Sequence, residues 1–265
     1  MSTHVLSAGI AGIGFWTRGL PSWDAARAFI GDGRLPVDPP ARPSPQLLAP
    51  NERRRAPDTV AVALDVALAA CVDAGRDPAT LPSVFASTHG DLPITHYMCE
   101  TLATDPRAIS PTRFHNSVHN AAAGYWTIGA GAMTPATAIS AYDASFAQGL
   151  LEAMVQLATG DEAVLLVGYD GHATGPLART SRSTGLLGGA LVLSREAVPG
   201  KPRLRVSLSG RHADGLPEQG ALSRMLAGNA MLPMLPLFEA LARQQAHAVL
   251  NAGSGKILGV EIDYE

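Results

Sequence analysis

Two kinds of apolar pattern alternate along the chain. Residues 161–170, DEAVLLVGYD, and 188–196, GGALVLSRE, are short apolar runs without a helical period, which predicts strands covered on both faces. Residues 57–75 behave differently. Val60, Ala63, Leu64, Ala67, Leu68 and Cys71 recur at helical spacing, behind Pro57 and ahead of Gly75. That predicts a core-facing helix with proline in its first turn and a glycine cap. The same reading places strands at 5–14, 83–88, 135–140 and 256–264, and a strand with one wet face at 202–212. It places helices from an N-cap at Ser22 through Ile30, at 93–103, at 117–132 with a break at 129–131, from the turn after 140 through Ala158, and at 233–250. Strands alternating with helices predict one layered α/β domain over 1–265, with a largely parallel sheet. Residues 35–57 interrupt the pattern. They hold six prolines in their first sixteen positions, and are expected to be an extended surface segment, neither strand nor helix.

Composition narrows the function classes. Hydrophobic residues make up 46% of the 265, enough for a substantial core. The net charge of −3 and pI near 6.2 give no pull toward nucleic acid or anionic membrane. No apolar run reaches the roughly 18 residues of a membrane span, and the N-terminus lacks the basic start and cleavage site of a secretory signal. Cys71 and Cys99 have no paired spacing. A cytoplasmic protein with two free thiols is the expectation.

The stretch AISAYDASFAQGLLEA, residues 138–153, reads as strand, tight turn and amphipathic helix, the layout of a nucleophile elbow. Its turn holds Tyr142, Asp143, Ala144 and Ser145. Ser145 lacks the flanking glycines of a hydrolase elbow. The AGSGK run near the C-terminus has Leu250 where a phosphate loop needs its first glycine, and Ile257 where it needs Ser or Thr. The early AGIAGIG lacks dinucleotide spacing. His115 and His119 are four apart but have neither a third ligand nor a catalytic Glu between them. No cofactor and no metal are expected.

The segment HNAAAGYWTIGAGAMTPATAISAYDASFAQG, residues 119–149, resembles the β-ketoacyl synthases of the thiolase superfamily. Asn120, Gly124, Gly131, Pro135, Ile139 and Ser140 fall in the register of that family without a gap. Asp143 falls on the acyl-accepting cysteine, and Tyr125 replaces a histidine. VFASTHGD, DEAVLLVGYDG and GLLGGALVLSRE extend the likeness over most of 5–200. Within the family, SPTRFHNSVHNAAAGYW and DASFAQGLLEA look characteristic of short chain-length factors, including those of aryl-polyene (xanthomonadin-like) pigment clusters.

The resemblance implies a thiolase-like α/β fold of βαβαβαββ type, about one half of the duplicated architecture, without the C-terminal catalytic half and its histidines. The orderly close on 256–264 fits a complete short form. A thiolate at a helix N-terminus is activated by the helix dipole; a carboxylate there is a poor nucleophile toward a thioester, so Asp143 is expected to cap the helix instead. The implied role is a non-catalytic chain-length factor that forms a heterodimer with a catalytic β-ketoacyl synthase subunit and meets an acyl carrier protein transiently. Strand 134–140 would pair across the interface. Phe114, Asn116, His119, Asn120, Tyr125, Trp126, Pro135, Thr137, Ile139 and Tyr142 would line the interface or the acyl tunnel, with ordinary core packing the alternative for the aromatics. The rival readings are a synthase scaffold without a tunnel role and a Ser145-dependent thioesterase or hydrolase.

Overall fold

The computed structural model describes residues 5–210 and 219–264. Its strands are β1 (Leu6–Thr17), β2 (Ser83–Ala86), β3 (Ala136–Ile139), β4 (Ala163–Asp170), β5 (Leu187–Ser194), β6 (Arg203–Gly210), β7 (His247–Gly253) and β8 (Lys256–Asp263). Its helices are α1 (Trp23–Asp32), α2 (Pro50–Arg55), α3 (Asp58–Ala74), α4 (Leu92–Thr104), α5 (Pro111–His115), α6 (Ala121–Ala130), α7 (Ser145–Thr159), α8 (Leu177–Thr180), α9 (Ala221–Met225) and α10 (Leu235–Ala242).

Local signals explain most boundaries. Ser22 caps α1 by accepting the Ala25 N–H at 3.2 Å. Gly75, in the left-handed region, ends α3 by donating to the Val72 carbonyl at 3.1 Å. β4 and β5 are buried at every residue, as their unbroken apolar runs require.

All eight strands form one sheet in the order β3-β2-β4-β5-β1-β6-β8-β7. Only β2 pairs in parallel, with β3 and β4; every other pairing is antiparallel. The expectation of a largely parallel sheet is therefore corrected. Helical crossovers join β2 to β3 and β3 to β4, but β4 returns antiparallel to β5 through a segment that holds the one-turn helix α8, and the first strand inserts between β5 and β6.

Alternation along β1 separates two cores. Phe15 faces a cluster with Leu150, Met154, Leu191 and Phe238, supplied by α7 and α10. Trp16 faces the other side with Val62, Leu64, Phe85, Trp126 and Tyr169, supplied by α3 and α6. Gly14 allows the close approach of α3, since a Cβ there would stand 2.0 Å from the Val66 carbonyl oxygen. The sheet curls around α7, so that Gln148 of α7 donates to the Ala252 carbonyl of the far strand at 2.8 Å.

Two further expectations change. Residues 50–55 of the proline-rich segment form helix α2, with Pro50 in its first turn where its missing N–H costs nothing. The helix expected over 233–250 stops at Ala242; Gln244 takes a positive φ of 52° and 247–253 becomes β7. Its burial alternates with period two, and its main-chain groups bond to β8. No helix among the described residues is long and apolar enough to cross a membrane.

Candidate functional site

The elbow sits where β3 meets α7. After Ile139 the chain makes a 3-10 turn over Tyr142–Ala144 and enters α7 at Ser145. Tyr142 has a φ of +53°, a left-handed conformation that costs a non-glycine residue about 1–2 kcal/mol. Strain of this kind at a strand-to-helix turn keeps an elbow sharp. Asp143 stands exposed at its tip. It does not cap α7, because the residue flanking the helix is Ala144 and no side chain caps that end. The expected capping role is thus corrected.

Ser145 does the local bonding instead. Its hydroxyl donates to the Tyr142 carbonyl at 2.7 Å and accepts the Ala141 N–H at 2.9 Å. It is 1% exposed. Both of its functions are spent inside the turn, so it offers no nucleophile to solvent.

Beneath the elbow lies a group that the sequence reading did not single out. Asp170, at the end of β4, is fully buried. Its carboxylate accepts from the Ser87 hydroxyl at 2.8 Å, the Thr88 N–H at 2.9 Å and the His89 N–H at 3.2 Å. Burial pushes this carboxyl above the usual carboxylate range, and those donors pull it partly back. The loop so held reaches both sides of the elbow. Ser140 donates to the Thr88 carbonyl at 3.0 Å. His119 Nε2 lies 2.9 Å from the Ser87 carbonyl; a carbonyl only accepts, so Nε2 carries the proton. A single carboxylate closing the apolar run 163–169 was the available sequence signal, since a buried charge needs bonded partners.

The interface and tunnel candidates divide by place. Phe114 is 61% exposed on α5. Tyr125, half-buried on α6, meets the His115 ring edge-on at 6.2 Å. Pro135 is exposed, Thr137 and Ile139 are half-buried in edge strand β3, and Tyr142 is exposed beyond them. Asn120 is exposed at the start of α6 and bonds no N–H there. Asn116 is buried just past α5. Trp126 takes the core-packing alternative: it is wholly buried against Phe85, ring centroids 6.3 Å apart, between α6 and the sheet. Around β3 the exposed apolar side chains include Ile128 and Met133.

Two clefts flank the elbow, and Asp143 lines both. One, about 820 Å³, lies between the elbow, α7 and the turn joining β7 to β8. The other, about 1080 Å³, carries Arg182, Arg224, Arg243 and His247. Neither presents a thiol. Cys71 is buried in α3, where burial pushes it up to about 12, and Cys99 is exposed on α4. Among the described residues no group of three or more His, Cys, Asp or Glu is placed to hold a metal ion.

The family described as beta-ketoacyl synthase, N-terminal domain, matches residues 31–214. Among solved structures, the ketosynthase (ApeO) in complex with its chain length factor (ApeC) from Xenorhabdus doucetiae matches with a TM-score of 0.73 and 23% identity, over 97% of this chain and 99% of that one. The ishigamide ketosynthase/chain length factor matches at 0.73 and 14%, over 97% and 99%. The type II polyketide synthase complex AntDE:AntF, an acyl-carrier protein with its ketosynthase bound to the hexaketide, matches at 0.73 and 10%, over 99% and 100%. At these identities the likeness is one of fold. No curated protein matches the sequence.

Proposed function

The chain belongs to the family of beta-ketoacyl synthase N-terminal domains, and from that premise we propose that it is a chain-length factor: a subunit without condensing activity that pairs with a catalytic ketosynthase. The observation that carries this reading is Asp143 at the tip of the elbow, where the resembled enzymes hold an acyl chain on cysteine. A carboxylate attacks a thioester poorly, and the mixed anhydride would hydrolyse. Ser145 cannot substitute, because its hydroxyl is buried and doubly bonded within the turn.

The pairing surface is the edge of β3. Among the described residues this strand bonds only to β2, and no strand covers its outer side. Burying such an edge against a partner strand satisfies its main-chain groups. Ile128, Met133 and Phe114 add exposed apolar area of the kind that marks association surfaces. The growing chain would arrive on an acyl carrier protein, and Phe114, Tyr125, Ile139 and Tyr142 would shape the wall that limits its length. Complexes of ketosynthase with chain length factor, and of ketosynthase with acyl-carrier protein, among the structural matches support both partners.

Co-expression with a ketosynthase encoded beside this chain tests the reading. A one-to-one complex on size exclusion is expected, with products of altered length from Tyr125→Ala or Tyr142→Ala by mass spectrometry. Products unchanged in length from an intact complex would reduce the role to a scaffold. Absence of any complex would overturn the proposal.

A further inference from the structure

The sheet has a second free edge, at the end opposite β3. There, among the described residues, β7 pairs only with β8. The Ile262 N–H donates to the Ala246 carbonyl at 2.8 Å, and the register continues with Ala248 opposite Val260 and Leu250 opposite Leu258. Antiparallel ladders alternate bonded and non-bonded pairs. Residues 246, 248 and 250 therefore bond into β8, and His247, Val249 and Asn251 turn their main-chain N–H and C=O groups outward. Among the described residues these outward groups take no backbone partner. Past Asn251 the register shifts, and the Ala252 carbonyl is closed off by Gln148. Exposed edges are usually blunted by proline or charge; 248–253, AVLNAG, carries neither.

The larger cleft runs along this strip. His247, Val249 and Asn251 line it together with Arg182, Arg224 and Arg243. Among the described residues none of these guanidinium groups has a carboxylate within 4.0 Å. Glu239 also lines the cleft, but its carboxylate turns inward to accept the Ser223 N–H and hydroxyl, both at 3.1 Å. Asp143 closes the far end. The groove thus sets unpaired backbone beside positive charge, in a chain whose net charge is −3.

We propose that the β7 edge docks an extended acidic segment of a partner protein, which adds to the sheet as a ninth strand with its carboxylates meeting Arg182, Arg224 and Arg243. A small anion would satisfy the outward N–H groups and leave the outward carbonyls unpaired, whereas a strand satisfies both. A second copy of this edge would oppose arginine to arginine. The site lies at the opposite edge of the sheet from β3.

The test uses the full chain and a blocked ten-residue peptide alternating Glu and Val, read by fluorescence anisotropy and amide hydrogen exchange. The peptide is expected to bind and to slow exchange at the Val249 and Asn251 amides. Replacing its Glu by Lys, or Arg224→Glu with Arg243→Glu in the protein, is expected to weaken binding by about tenfold or more. N-methylation of alternate peptide amides is expected to abolish it. Equal binding of the Glu and Lys peptides, binding without slowed exchange, or slow exchange at both amides in the free chain would each overturn the proposal. So would displacement of the peptide by an equal concentration of inorganic phosphate, which would make the groove an anion pocket.

Discussion

The Ser145 hydroxyl donates to the Tyr142 carbonyl at 2.7 Å, tying the first residue of α7 to the strained residue of the elbow. Because the same hydroxyl accepts from Ala141, one side chain holds both sides of the turn. Ser145→Ala leaves the half-buried Ala141 N–H unpaired, while the Tyr142 carbonyl keeps the residue-145 backbone N–H, at a cost of about 1 kcal/mol. Urea unfolding measures that loss. Acyl-thioester cleavage by the purified chain that vanishes in the variant would restore the hydrolase reading.

Trp126 and Phe114 lie near one another in sequence but separate sharply on alanine substitution. Trp126 is wholly buried, so Trp126→Ala is expected to cost about 3–5 kcal/mol through its cavity. Phe114 is 61% exposed, and Phe114→Ala is expected to stay within about 0.5 kcal/mol. Chemical denaturation of both checks this. Product-length assays belong first to Phe114 and Tyr142, which are exposed, since half-buried Tyr125 also packs against the core.

Asp170 makes stability depend on pH. Its carboxyl is raised above the ordinary value of 3.8 by burial. A carboxyl held more tightly protonated in the folded state contributes stability that is fully present below that ordinary value and is lost as pH rises through the folded value. Asp170→Asn is expected to flatten that fall, seen as urea midpoints across a pH series from 3 upward. An unchanged slope in the variant would assign it to other groups.

The two thiols are expected to differ in reactivity. Cys71 is fully buried and pushed up to about 12, whereas Cys99 is exposed. The thiolate is the reactive form. A chromogenic disulfide at pH 8 should therefore react with one thiol in the native chain and with two after unfolding, and Cys99→Ser should remove the fast reaction. Rapid modification of Cys71 in the native chain would contradict its packing in α3.

Much of the fold was legible in linear pattern. Apolar runs marked β4 and β5, helical spacing with Pro57 and Gly75 marked α3, and Ser22 marked the start of α1. The register of Asn120, Gly124, Gly131 and Pro135 located the elbow and the place of Asp143. These are local signals, because caps and periodicity act within a few residues. The candidates at β3 were legible only as an ordered segment, since exposure depends on what covers the edge.

The sequence by itself determined most of the strands and helices, the position of the elbow, and the absence of a thiol there. Tertiary structure decided the rest. It placed the first strand between β5 and β6 and made the sheet mainly antiparallel, because strand order is set by long-range pairing. It turned 247–253 from helix to strand, because β8 supplied hydrogen bonds that a helix of that stretch would have to find within itself. It buried Trp126 and Ser145 and left Tyr142 and Asp143 in solvent, a division that spacing along a chain cannot make. It also set the Asp170 carboxylate under the loop 87–89, where donors more than eighty residues away in sequence make its burial tolerable.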